Sequence, residues 1–284
     1  MAPRREGRAW IGTSGYDYAH WKGAFYPPAL PHRRWLEHAV RAFSSIELNG
    51  TFYSLKTPAS FRRWREAARP GFVYAVKGSR FITHRLKLRG CAQALANFYA
   101  SGILELGRHT GPFLWQLPPQ LPFDAARMEA FIDLLPRSAT EAEALAAGYD
   151  GRVKTPALTS PVRVRYRHAF EVRHASYFQP AFYRLLRRRR AGFVIADSAG
   201  RFDSAEEVTA DFVYVRLHGS QVLYGSAYQP HELDAWARRV AGWLGGPPAR
   251  DVYVYFDNDH RAYAAHDALG LLARVGPLQR AAAM

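Results

Sequence analysis

The sequence predicts a parallel (β/α)8 barrel of the TIM type, an α/β fold in which strands alternate with outer helices. Three observations lead to this prediction: eight short apolar segments, segments of helical period between them, and apolar runs that are continuous rather than alternating. Continuous apolar runs are typical of strands covered on both faces, as in a parallel sheet. Eight such units in series favour closure into a barrel over an open doubly wound sheet.

The strands are assigned to the apolar runs, each of which has a length typical of a buried strand. The eight predicted strands are Ala9–Thr13, Ser45–Asn49, Phe72–Lys77, Pro112–Leu117, Ala169–Arg173, Phe193–Asp197, Phe212–Leu217 and Val252–Phe256.

The helices are assigned to apolar stripes of helical period, which face the core by default. These stripes begin at Trp35, Phe61, Leu95, Met128, Phe182, Leu233 and Ala264, and the stripe from Leu95 continues to Leu106. The segment Ser198–Ala210 offers only one short helix, so one β/α unit is expected to be irregular. The segment Arg137–Arg167 is predicted to be an exposed excursion before the fifth strand. We expect residues 1–284 to form a single domain.

Composition and charge limit the classes of function. Apolar residues make up 48% of the 284 residues, but no run approaches the roughly 18 apolar residues of a membrane helix. Met1–Arg8 is charged without a following apolar run, which argues against a secretory signal. The single cysteine, Cys91, suits a reducing compartment, so the sequence predicts a cytoplasmic protein with no membrane partner.

The net charge of +15 would attract phosphates, nucleic acids or anionic lipids. The chain has 34 arginines against five lysines, however, which also fits a GC-rich genome that uses arginine wherever a cation will do. The run Arg187–Arg190 is interpreted as a solvated helix end that is stabilised by the helix dipole. The charge therefore indicates either a polyanionic partner or codon bias.

Polar side chains close seven of the eight predicted strands, and side chains two apart on a strand share a face. They are Glu47 and Asn49, Lys77, Gln116, Glu171 and Arg173, Asp197, Arg216 and His218, and Asp257, Asn258 and Asp259. In a parallel barrel the carboxyl ends of the strands open on one rim, so the sequence predicts one polar pocket there. The alternative is a set of buried Glu–Arg pairs that tie the rim together without chemistry.

Several motifs occur in order along the chain: Ile11-Gly-Thr-Ser-Gly15, Trp21-Lys-Gly-Ala-Phe-Tyr-Pro27, Ile46-Glu-Leu-Asn-Gly-Thr-Phe-Tyr53, Val76-Lys77, Ile82-Thr-His84, Gln116-Leu-Pro-Pro119, Phe170-Glu-Val-Arg-His174, Arg216-Leu-His-Gly219 and Phe256-Asp-Asn258. Together they resemble the family called domain of unknown function 72, or YecE-like, from about Trp10 to Leu272. The resemblance implies a TIM-like barrel and no established reaction. The motif positions it implies are Glu47, Asn49, Thr51, Tyr53, Lys77, His84, Gln116, Glu171, Arg173, Arg216, His218 and Asn258.

The first functional hypothesis is an enzyme that binds a phosphorylated or sugar-like anionic substrate. Arg173 and Arg216 would clamp the anion, and Lys77 with Glu47 or Glu171 would share acid–base work. In this chain a lysine at a strand end indicates that an ammonium is specifically needed. The remaining ligand-binding candidates are Asn49, Thr51, Tyr53, His84, Gln116, His218 and Asn258.

Two alternatives stay open. A metal-dependent phosphoesterase or isomerase would use carboxylates and imidazole at strand ends, namely Glu47, Glu171, Asp197, His218 and Asp257, although the neighbouring cations would repel a metal ion. A non-catalytic nucleic-acid binding protein would use the positive charge and the aromatic residues, although no recognised nucleic-acid motif is present. The sequence leaves the cofactor, any bound metal, catalysis itself and the oligomeric state open.

Overall fold

The computed structural model describes residues 7–282 and confirms the predicted fold class, because eight parallel strands close into a barrel in sequence order. The strands are β1 Ala9–Ser14, β2 Ser45–Leu48, β3 Val73–Lys77, β4 Thr110–Gln116, β5 His168–Glu171, β6 Gly192–Asp197, β7 Phe212–Leu217 and β8 Asp251–Phe256. Each lies within two residues of its predicted bounds. Every residue of β2, β5, β7 and β8 is buried, which is why these strands appear in the sequence as continuous apolar runs.

Helices follow most of the strands, as the apolar stripes predict. They are α1 Trp35–Ala42, α2 Gly50–Tyr53, α3 Pro58–Ala67, α4 Ala92–Ala100, α5 Ala125–Asp133, α6 Ala139–Ala146, α7 Pro180–Arg188, α8 Pro230–Gly245 and α9 Tyr263–Ala282. Among the described residues, none of these helices combines the length and the hydropathy needed to cross a bilayer.

The predicted stripe from Leu95 to Leu106 is not one helix. Helix α4 ends at Ala100, and a 3-10 segment, Ile103–His109, begins after Gly102. Gly102 has a φ of 129°, and a Cβ at this position would lie 2.7 Å from atoms of Pro58 and Phe61. The helix is therefore interrupted because the backbone turns at a glycine against α3, a contact that the periodicity does not reveal.

Two irregular segments differ from prediction: one contains a helix that was not predicted, and the other lacks a helix that was. The excursion at 137–167 contains a helix, α6, whose first turn is capped by the Ser138 hydroxyl accepting from the Glu141 amide. The short helix predicted within Ser198–Ala210 is absent. There the Ser198 hydroxyl accepts from the Phe202 amide at 3.1 Å and donates to the Phe202 carbonyl, which holds a turn in place of a helix.

The described residues divide into two compact units, one within Met1–Ile46 and Gly192–Met284 and the other Glu47–Ala191. In the first unit β6, β7, β8 and β1 pair in parallel, in that order. In the second unit β3, β4 and β5 pair in parallel, with Gln116 opposite Glu171. The assignment of residues 1–284 to a single domain stays a prediction. Of the charged segment Met1–Arg8, which was predicted not to be a secretory signal, residues 1–6 lie outside the described residues.

Candidate anion-binding site

A buried carboxylate at the end of β5 forms the centre of the site in the unit 47–191. Glu171 is 2% exposed, and its two oxygens lie 3.0 and 2.9 Å from Gln116 Nε2. The same carboxylate accepts from Nη2 and Nε of Arg173 at 3.0 and 3.2 Å. A buried carboxylate is costly unless it is paired and hydrogen-bonded. These contacts therefore stabilise Glu171 and fix the Arg173 guanidinium just beyond the strand.

A lysine closes the neighbouring strand of the same unit. Lys77 is the last residue of β3 and is 7% exposed. Its ammonium lies 4.6 Å from the centroid of the Phe52 ring, within range of a cation–π interaction. The His84 ring packs edge-on against the same phenyl ring, with centroids 5.2 Å apart. Phe52 thus lies against both the ammonium and the imidazole.

Helix α2 is fixed to the ends of β2 and β3 by one threonine. The Thr51 hydroxyl lies 2.7 Å from the carbonyl oxygen of Leu48 and 2.7 Å from that of Lys77. Because a hydroxyl has a single proton, this proton is shared between two backbone acceptors. Thr51, predicted to bind ligand, is 2% exposed and joins the two strand ends.

Tyr53 stands apart from the buried members of the predicted set. It is 65% exposed, and the Arg80 guanidinium lies 5.4 Å from its ring centroid. Tyr53 lines a mainly apolar groove of about 330 Å³ together with Phe81 and Asn97. An exposed aromatic residue beside a groove is suited to stacking on a flat ligand group.

The electrostatics of His84 show which charges lie near one another. Burial lowers the pKa of this imidazole below its usual value, and the positive charges of Arg173, Lys77 and Arg80 lower it further, against an opposing contribution from Glu171. His84 is therefore neutral at pH 7. The charges that act on the neutral His84 are thus those of three cations, Lys77, Arg80 and Arg173, and one carboxylate, Glu171, and this arrangement favours an anion beside the imidazole.

Two further predicted residues lie at the carboxyl end of β2. Glu47 is fully buried within the strand, and Asn49 immediately precedes α2 with partial exposure. Both belong to the same unit as the cationic cluster.

A second polar cluster lies in the other unit, around Arg216 on β7. Arg216 is fully buried, and its Nη2 donates to Ser14 Oγ at 2.8 Å and to Asp257 Oδ2 at 2.9 Å. His218 places Nε2 3.4 Å from Arg216 Nη1 and Nδ1 3.0 Å from Asp257 Oδ2. The buried guanidinium is thus compensated by a carboxylate and a hydroxyl.

Amide and carboxyl groups continue this second cluster. Asn258 is fully buried and donates from Nδ2 to Asp267 Oδ2 and to the Ser226 carbonyl, both at 2.8 Å. Burial raises the pKa of Asp267. Asp197 accepts from the Tyr228 hydroxyl at 3.0 Å. Within residues 7–282, no group of three or more His, Cys, Asp or Glu side chains is arranged to hold a metal ion.

The structure brings together Lys77, His84, Gln116, Glu171 and Arg173 in one unit, and Arg216 and His218 with Asp257 in the other. A single pocket that contains all the predicted residues stays a prediction. The site residues predicted from sequence do not include Phe52, Arg80 or Ser14. Phe52 lies between the predicted residues Thr51 and Tyr53, but the sequence does not show which of the adjacent aromatic side chains, Phe52 or Tyr53, is buried.

Comparison with known proteins supports the fold. The chain matches the family described as "Protein of unknown function DUF72" over residues 10–283. A curated relative, the UPF0759 protein YecE of Escherichia coli strain K12, is 30% identical over 117 residues, which cover 38% of this chain and 43% of the relative. The aligned region thus spans less than half the length of that relative.

Two crystal structures have the same fold. A DUF72 family protein from Thermotoga maritima MSB8 has a TM-score of 0.74 at 23% identity, covering 95% of this chain and 99% of its own. A DUF72 family protein from Enterococcus faecalis V583 has a TM-score of 0.72 at 14% identity, covering 94% of this chain and 95% of its own. At these identities the likeness concerns the fold alone. Since the family match extends over nearly the whole chain, this protein belongs to the DUF72 family.

Proposed function

We propose that this TIM-barrel protein is an enzyme that binds a phosphorylated or sugar-like anion at the carboxyl ends of β3, β4 and β5. The observation that carries the proposal is the set of three cations around a neutral histidine, with one carboxylate among them. Cations that converge on a neutral imidazole are stabilised by an anionic ligand. Participation of Arg216, His218 and Asn258 in the same site stays a prediction.

Arg173 is the proposed anion clamp. Its guanidinium is held by Glu171 at 3.0 Å, and its side chain keeps 16% of its exposure. Arginine donates five N–H groups in a rigid fork, so one edge can contact the carboxylate while other donors contact a phosphate. Glu171 is therefore a positioning residue for Arg173, and the Lys77 ammonium supplies a second cation.

The acid–base groups are proposed among Lys77, His84 and Glu47. Glu171 accepts hydrogen bonds from both Gln116 and Arg173, which makes it a poor proton acceptor. His84 is neutral and partly exposed, so one ring nitrogen can take a proton from a bound hydroxyl group. A neutral imidazole among cations suits a general base better than a fully hydrogen-bonded carboxylate.

Binding is tested by calorimetric titration with inorganic phosphate and with a hexose monophosphate. We expect Arg173→Gln to weaken binding about tenfold or more, because one charge-assisted pair is lost. Arg173→Lys should give an intermediate loss, since it keeps the charge and loses the fork. Lys77→Met, which keeps an apolar stem against Phe52, should also weaken binding.

Arg63→Gln is the matched control, because Arg63 is an exposed arginine on α3 of the same unit. Equal affinities for wild type, Arg173→Gln and Lys77→Met would contradict the binding site. The catalytic part is tested separately by proton NMR of the hexose monophosphate in deuterated water. Conversion or deuterium uptake that occurs with the wild type and is lost in Lys77→Met supports a catalytic role. If the wild-type protein causes neither conversion nor deuterium uptake, the catalytic part of the proposal is contradicted.

A further inference from the structure

A strongly basic cavity lies in the unit 47–191, at the amino end of β5. It has a volume of about 400 Å³, and it is lined by six arginines, namely Arg137, Arg165, Arg167, Arg188, Arg189 and Arg190, with only two carboxylates, Asp133 and Glu141. Arg167 immediately precedes β5, whereas Glu171 and Arg173 lie at its carboxyl end. The cavity is therefore distinct from the candidate anion-binding site.

The arginines come from three separate stretches of chain. Arg137 follows α5, and Arg165 and Arg167 lead into β5. Arg188 is the last residue of α7, and Arg189 and Arg190 follow it directly. A solvated helix end with a favourable dipole explains the last group alone. It does not explain why two loops place three further guanidinium groups around the same cavity.

The two lining carboxylates are already engaged. Asp133 accepts from Arg189 Nη2 at 3.0 Å, and Glu141 accepts from the Arg137 backbone amide at 2.7 Å. Glu129, just outside the lining, also accepts from Arg189 Nη2 at 2.7 Å and lies 4.0 Å from Arg188 Nη2. Six guanidinium groups against three carboxylates leave a formal charge of +3 around the cavity. In addition, Arg189 Nε is buried and has no hydrogen-bond acceptor within the described residues.

The arginines also disfavour one another. Burial lowers the pKa of Arg137; the charges of Glu141 and Asp133 oppose this shift, and those of Arg165 and Arg189 add to it. Like charges held together around a partly buried cavity raise the free energy of the folded state unless a counter-charge is bound. The arrangement is thus suited to an anion with several charges.

We propose that this arginine-lined cavity binds a small ligand that carries two or more linked phosphate groups. A cavity of this volume falls within the range of small-molecule sites, about 300–1,000 Å³. Arginine pairs with phosphate through two parallel N–H donors, and adjacent phosphates can engage guanidinium groups from different loops. A nucleic-acid backbone would instead need an extended groove that follows a strand.

The test titrates inorganic tripolyphosphate and inorganic phosphate into the wild-type chain and into Arg165→Gln, Arg188→Gln and Arg137→Gln. We expect tripolyphosphate to bind at least tenfold more tightly than phosphate. Each variant should weaken tripolyphosphate binding about tenfold. Arg165 and Arg188 are exposed, so their variants are expected to fold even if the partly buried Arg137 does not tolerate glutamine.

Two controls separate this cavity from the candidate anion-binding site. Arg63→Gln should leave tripolyphosphate binding unchanged. Arg173→Gln should weaken phosphate binding at the candidate anion-binding site and leave the tighter component of the tripolyphosphate titration, which belongs to the cavity, in place. If Arg165→Gln and Arg188→Gln bind tripolyphosphate as the wild type does, the proposal is wrong. The proposal is also wrong if tripolyphosphate does not bind and a single-stranded oligonucleotide binds instead. If these variants then lose oligonucleotide binding, the surface recognises nucleic acid.

Discussion

His84 gives the candidate anion-binding site a pH dependence with a defined sign. The pKa of His84 is below the usual 6.5 because the imidazole is partly buried and lies near three cations. The imidazole is therefore neutral above pH 6.5. A bound anion opposes those cations and raises the pKa, which means that binding takes up a proton at acidic pH. We expect affinity for sulfate, whose charge does not change over this range, to increase as the pH falls below 6.5.

The comparison is a set of sulfate titrations between pH 5 and 7 for wild type and for His84→Gln. The glutamine variant should bind with an affinity that depends less on pH, because it cannot take up the proton. An equal dependence in the two proteins would show that another group is responsible.

Residue roles were predictable from sequence only in part. The pairing of Glu171 with Arg173 follows from their spacing of two along a strand, and the structure has them 3.0 Å apart. Thr51 belonged to the same predicted motif, yet its hydroxyl bonds to two backbone carbonyls. A motif shows that a hydroxyl is present, but its partner depends on how β2 and β3 align, which local sequence does not specify.

At the scale of elements, the hydrogen bonds of Thr51 connect α2 to two strand ends. Replacement by valine keeps the shape and removes the donor, so two buried carbonyls lose a partner. We expect Thr51→Val to lower the free energy of unfolding by about 1–2 kcal/mol. Urea denaturation measures this change.

Thr51→Ser is the matched variant, since it keeps the hydroxyl and should restore most of the stability. If Thr51→Val is as stable as Thr51→Ser, the hydroxyl does not hold these strand ends together. Because the same threonine contacts the carbonyl of Lys77, the valine variant should also weaken phosphate binding at the candidate anion-binding site.

Element positions were predicted well where burial alone determines them. The strands are continuous apolar runs because the barrel covers both of their faces, so their positions follow from composition. Element ends were predicted less well. Strand β5 ends at Glu171 rather than at Arg173, and the stripe from Leu95 to Leu106 is broken at Gly102. Such ends depend on contacts with distant segments, which periodicity does not encode. At Gly102 these contacts are with Pro58 and Phe61.

At the scale of the whole chain, the excess of positive charge is unevenly distributed. Some arginines are paired on the surface, as Arg62 and Arg65 are with Glu105. Six others surround one cavity with two carboxylates. Codon bias explains why arginine is chosen over lysine, but it does not explain this concentration. The position of the charge therefore favours bound anions more strongly than the net value does.

The stability of the chain at acidic pH should depend on one buried histidine. His168 is fully buried at the start of β5; its Nδ1 accepts from Trp115 Nε1 at 3.2 Å, and its Nε2 lies 2.8 Å from the Pro136 carbonyl. These two bonds require the neutral tautomer that is protonated at Nε2. A second proton would face the indole N–H. Accordingly, burial lowers the pKa of His168 from 6.5 to about 3.

The sign of the effect follows from proton binding in the two states. Between pH 6.5 and 3 the unfolded chain protonates this imidazole and the folded chain does not, so the free energy of unfolding falls as the pH falls. The expected contribution is about 1.4 kcal/mol for each pH unit, fully regained above pH 6.5. Urea denaturation between pH 6.5 and 4.5 should therefore show a weaker pH dependence for His168→Gln than for wild type. The carboxylates are the same in both proteins, so their titration cancels in the difference, and parallel curves would mean that His168 accepts a proton without unfolding.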